Sequence, residues 1–100
     1  MGTSLDDMNQ FLMLNHGQGS PSGWEEYFSL LHRDGYMMGG SELGEGTAVT
    51  NAAAGPAISS TVTGYILIQA PDLETAKIIA EKCPVHRSGG TVEIFPLVRS

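Results

Sequence analysis

The side chains of this chain best suited to chemistry are His16, Glu93, Trp24, Glu42, Tyr65 and Arg87. His16 closes the apolar run Phe11–Leu14 and precedes the breaker stretch "GQGSPSG". That puts it at a strand end, where an imidazole can give or take a proton near neutrality. Glu93 stands between Val92 and Ile94 in the last apolar segment. Its carboxylate would orient the ring or accept a proton itself. Trp24, Glu42, Tyr65 and Arg87 would supply the walls and polar tips of a small-molecule pocket. Four of them also have a plainer reading. His16 reads as a loop-edge histidine bonded to backbone, Trp24 as the core anchor of a helix, Glu42 as a solvated turn residue, and Glu93 as an interface ion-pair partner.

Other chemistries find no support. Cys83 is the only cysteine, so neither an intrachain disulfide nor a cysteine-based zinc site is available. Its place late in an apolar helical pattern makes it a small buried hydrophobe. His32 and His86 lack the spacing of metal ligands. Gly39-Gly40 is not followed by the Lys-Ser/Thr of a phosphate loop. No metal or cofactor is expected. The net charge is −6, with five Lys and Arg that do not cluster, so nucleic acid is excluded as a partner. No apolar run approaches a membrane span. The opening "MGTSLDDMNQ" is acidic where a leader is basic, and a cytoplasmic protein is expected.

The elements that must position these residues follow from periodicity. Residues 1–9 are polar and read as a flexible N-terminal segment, leaving 10–100 as one domain. "QFLMLNH" reads as a strand. Ser22 with Glu25 forms a capping box, and Trp24, Tyr27, Phe28 and Leu31 give the following helix one apolar face. Gly35 supplies its left-handed stop. "YMMGGSEL" reads as a strand bulged at Gly39-Gly40. "GEGTAVTNAAAGPAISSTV" is a hairpin arm of small residues, and "TGYILIQA" a strand. Asp72 caps a helix with Leu73, Ala76, Ile79, Ala80 and Cys83 on one face. Pro84 ends it, and "TVEIFPLV" is the last strand.

The order β-α-β-β-α-β predicts an α+β, ferredoxin-like subunit: an antiparallel sheet with both helices on one face. "FLML" and "YILI" are apolar at consecutive positions, which predicts burial of both sheet faces. A second copy, sheet against sheet, is the simplest cover, so a homodimer is expected.

The same segments resemble the YCII-related, or DGPF-domain, proteins of the dimeric α/β-barrel superfamily. The similarity runs from Gln10 to Val98. It rests on "FLMLNH", on the Trp and Tyr of "GWEEYFSLLHRDGYMMGGSEL" with its Gly-Gly-x-x-Leu, on "GPAISSTVTGYILIQAPDLETAKIIAEKCP", and on the closing "GGTVEIFPLV". The resemblance implies two sheets pairing into a dimeric α/β barrel, with a pocket between sheet and helices. In some branches it also implies a histidine and an acidic residue as working pair. The signature block stands here as Ala54-Gly55-Pro56-Ala57, so its Asp and Phe are absent and no role of theirs transfers. The expected function is small-molecule binding or assembly without demonstrated catalysis. The alternative is a lyase or isomerase acting on a small lactone-like or other organic acid substrate, with His16 as acid and base.

Overall fold

A computed structural model describes residues 8–46, 49 and 61–98. The expected N-terminal segment, apart from Met8 and Asn9, lies outside the described residues, as does Ala54–Ala57 with most of the hairpin arm. The elements are β1 (Asn9–His16), α1 (Pro21–Arg33), β2 (Met37–Glu42), β3 (Val62–Ala70), α2 (Leu73–Glu81), α3 (Pro84–Arg87) and β4 (Thr91–Pro96). The strands form one antiparallel sheet in the order β2-β3-β1-β4. This is the expected ferredoxin-like α+β architecture.

Strand parity decides what each face carries, because alternate side chains point to opposite faces. Phe11, Met13 and Asn15 of β1 and Ile66, Ile68 and Ala70 of β3 are buried under the helices. They pack with Tyr27 and Leu31 of α1, with Ala76, Ile79 and Ala80 of α2, and with Cys83 and Val85. Fully burying an aliphatic or aromatic side chain of this kind contributes about 1.5–3 kcal/mol. The Tyr27 hydroxyl crosses the core to donate to the Ile79 carbonyl at 2.8 Å. Burial pushes this phenol well above its ordinary range, and the nearby Cys83 adds to the shift.

The opposite sheet face is only half-buried within the subunit at Leu12, Leu14, Tyr65 and Leu67. The equal burial of both faces read from "FLML" and "YILI" is thus not met by one chain alone. A register shift between Met37 and Gly39 places a bulge in β2, where the glycine pair suggested one. A Cβ on Gly40 would lie 2.7 Å from the Tyr65 carbonyl oxygen, so a side chain there would push the edge strand off β3.

The helix ends differ in detail from expectation. Ser20, not Ser22, caps α1: its hydroxyl accepts from the Gly23 N–H at 3.2 Å, with Pro21 in the first turn. Gly35, at φ 76°, ends the helix, and Tyr36 N–H returns to the Leu31 carbonyl at 2.9 Å. Asp72 caps α2 as expected, accepting from Thr75 N–H at 2.8 Å. That bond to Thr75 holds its carboxyl below the usual aspartate value. Leu73, assigned to the apolar face of this helix, is exposed, since it occupies the first position before the helix turns onto the sheet. Pro84 does end α2, and it also opens the short α3 that the sequence reading did not contain. No helix among the described residues is long and apolar enough to cross a membrane.

Candidate functional site

The sheet register brings His16 and Glu93 together. His16 pairs with Thr91, and Glu93 lies opposite Leu14. The two are therefore diagonal neighbours on the face away from the helices, within reach of long side chains. His16 Nε2 meets Glu93 Oε1 at 2.5 Å. The other ring nitrogen, Nδ1, meets the Thr61 hydroxyl at 2.7 Å. An ionised carboxylate only accepts, so Nε2 carries the proton toward Glu93. In the neutral ring Nδ1 then accepts from Thr61. Hydroxyl, imidazole and carboxylate stand in the order that activates a hydroxyl or relays a proton. Thr61 had no place among the sequence candidates. A bulge between Asn15 and His16 in the pairing with β3 sets His16 against Val62, and this shift could not be read from a run of small residues.

A separate cavity of about 370 Å³ lies between α1 and the β2–β3 edge, lined among others by Trp24, Phe28, Met37, Glu42, Tyr65 and Ile66. The Trp24 and Phe28 rings stack at 5.3 Å between centroids, 24° apart in plane. Asn15 also lines this cavity and is 3 % exposed. Its Oδ1 receives a long contact from the Cys83 thiol at 3.9 Å. Among the described residues its Nδ2 has no hydrogen-bond partner. The signal for Asn15 was its parity with Phe11 and Met13, a polar residue on the face that builds the core. Burial raises the Cys83 thiol above its ordinary range, outweighing backbone hydrogen bonds from Val85 and His86 that lower it. That suits the packing role assigned to it.

His16 and Glu93 instead face a shallow open depression of about 720 Å³, with Thr61, Thr63 and Thr91 around them. The candidates expected at one edge are thus divided. Trp24, Glu42 and Tyr65 belong to the cavity, and His16 and Glu93 to the depression. The two hollows meet at Gly17, Gln18 and Thr63. Thr63 fixes that boundary by donating to the Gly17 carbonyl at 2.7 Å. Arg87 is exposed on α3 and lines neither hollow. Among the described residues no three His, Cys, Asp or Glu side chains gather as a metal site.

No protein-family model matches the chain, and no curated protein matches it. A solved structure does share its fold. This is 5-chloro-2-hydroxyhydroquinone dehydrochlorinase (TftG) from Burkholderia phenoliruptrix AC1100, in complex with 2,5-dihydroxybenzoquinone. It is 13 % identical, with a TM-score of 0.56 over 91 % of this chain and 95 % of that one. The likeness shows the fold alone: a ferredoxin-like α+β architecture.

Proposed function

We propose that this protein binds a small molecule in the cavity between α1 and the β2–β3 edge. The observation that carries the reading is Asn15: a core-side amide whose Nδ2 has no hydrogen-bond partner among the described residues and opens on an apolar, aromatic-lined hollow rather than being sealed in the core. A donor aimed into an apolar hollow finds no partner in its walls, and a ligand acceptor would satisfy it. Trp24 and Phe28 supply flat apolar surface and Glu42 a polar tip. Trp24 is the only tryptophan, so its fluorescence reports on the cavity. Titration with monocyclic compounds, 2,5-dihydroxybenzoquinone among them, should quench it saturably. Quenching that stays linear across the series, and is unchanged in Asn15→Leu, would sink the proposal.

The half-buried apolar face of the sheet supports a homodimer in the manner of the superfamily. Leu12, Leu14, Leu67 and Phe95 share that face by register, and a second copy would cover them. Light scattering should give twice the subunit mass, and Leu14→Lys should return it to one subunit. A wild-type monomer at micromolar concentration would exclude this.

The Thr61–His16–Glu93 array favours a second reading, acid–base catalysis by a lyase or isomerase on a small lactone-like substrate, with His16 and Glu93 as the working pair. Turnover of such a compound should be lost in His16→Ala. Unchanged turnover would remove His16 from the chemistry.

A further inference from the structure

Building on the acid–base reading, we propose that the atom presented to the ligand is the free oxygen of Glu93, that His16 and Thr61 are positioning residues behind it, and that the ligand is neutral and hydroxyl-bearing.

The argument begins with the ring. Both nitrogens of His16 are occupied, Nε2 by Glu93 and Nδ1 by Thr61. A neutral imidazole has one N–H and one lone pair. Here the first is given to the carboxylate and the second takes the hydroxyl proton. Nothing on the ring is left for a ligand unless one partner is displaced. Within one subunit, accessibility points the same way: the His16 side chain is 14 % exposed, that of Glu93 46 %. Only Oε1 of Glu93 is engaged. Among the described residues no donor reaches its second oxygen, and Glu93 lines the depression. A proton arriving from a ligand O–H therefore meets Glu93 first. His16 holds the carboxylate in place through Nε2–H, and Thr61 fixes the ring's tautomer and rotamer from behind. This is the order in which a supporting group orients the group that reacts.

The ligand class follows from the walls. The charged side chain of the depression is Glu93 and that of the cavity is Glu42, and no Lys or Arg lines either among the described residues. Arg87, the cation expected here, stands on α3 away from both. A carboxylate-bearing ligand would face these acids with nothing to balance it, whereas a phenol or enol would donate to Glu93. Thr61, Thr63 and Thr91 around the depression suit further hydroxyls.

The test uses the isotope-labelled full chain, with hydroquinone and its carboxylated analogue 2,5-dihydroxybenzoate as probes. Ring nitrogen shifts should show one tautomer, protonated at Nε2, in the wild type and in Thr61→Ser, and a mixture in Thr61→Val. Hydroquinone should move the Glu93 carboxyl carbon and leave both His16 ring nitrogens in place. Glu93→Gln should weaken it by about tenfold or more, while Thr61→Ser should stay within about twofold of wild type. The benzoate should bind about tenfold more weakly than hydroquinone or worse, from like-charge repulsion. A wild-type ring protonated at Nδ1, or equal binding of the two probes, would overturn the proposal. So would the absence of hydroquinone binding. If hydroquinone moved the ring nitrogens and not the carboxyl, the acid–base reading would stand with His16 as the contact and this assignment would fail. If it quenched Trp24 while Glu93 and His16 stayed unmoved, the assignment would again fail and only the cavity reading would survive.

Discussion

Replacing Asn15 by Leu separates what the core wants from what the cavity is for. The side chain is 3 % exposed and shares its face of β1 with Phe11 and Met13. Among the described residues its side chain has a single polar contact, a long one from the Cys83 thiol at 3.9 Å. A buried amide with incomplete hydrogen bonding costs about 1–3 kcal/mol in protein mutational data, and Asn15, whose Nδ2 opens on the cavity, belongs at the low end. A sulfur contact of that length offsets well under the ~1 kcal/mol of an ordinary hydrogen bond. Leu has nearly the same shape, its two methyls taking the places of the amide oxygen and nitrogen. The substitution should therefore raise stability by about 1 kcal/mol, a shift of roughly 5 °C in Tm for a domain of this length. Binding in the cavity should weaken by about fivefold to tenfold, the equivalent of one lost hydrogen bond. Urea unfolding with unchanged m-value, alongside the Trp24 titration, measures both. A loss of about 1 kcal/mol or more would show that Asn15 serves the fold and would refute the reasoning. A functional site that costs stability is the expected trade.

Tyr27→Phe should cost about 1 kcal/mol by removing one of the hydrogen bonds on the Ile79 carbonyl, which keeps the Lys82 N–H at 3.2 Å, read from the urea midpoint. Because burial raises the Tyr27 phenol above its ordinary value of 10.0, wild-type stability should hold below that pH and fall as pH rises above it. The fall should be smaller in Tyr27→Phe. Gly40→Ala should cost about 1–3 kcal/mol, since its Cβ meets backbone rather than a movable side chain; an unchanged midpoint would mean that β2 shifts freely. The Thr75 bond lowers the Asp72 carboxyl, so its contribution is present above the ordinary aspartate value of 3.8 and lost as pH falls through the folded value. The stability difference between wild type and Asp72→Ala should vanish in acid, as seen by circular dichroism across pH.

Much of the architecture was legible because it rests on local rules. Periodicity of 3.6 found the faces of α1 and α2, apolar runs found β1 and β3, and the strand order placed the end of β1 beside the start of β4. That order is why His16 and Glu93 could be paired from sequence. Features set by exact register or by competing caps were not legible. "SPSG" offers two serines, and the proline after the first decides for Ser20, since proline suits the first helical turn. The same rule makes Pro84 both a stop and a start, and the α3 turn it opens carries Arg87 off the site. Thr61 depends on a one-residue bulge that no propensity encodes. Asn15 was hidden because an Asn within a strand reads as solvent-facing unless parity is followed from Phe11 and Met13.

The bulge at Met38 has a bearing on how copies of this chain can meet. β2 and β4 are the two rims of the sheet, and an open rim is a template for another chain's strand. One rim is short and broken in register between Met37 and Gly39, and the other ends in Pro96, which has no N–H to offer. Among the described residues both rims are blunted against strand addition, the route to runaway sheet extension and fibrous aggregates, so growth by the edge is discouraged.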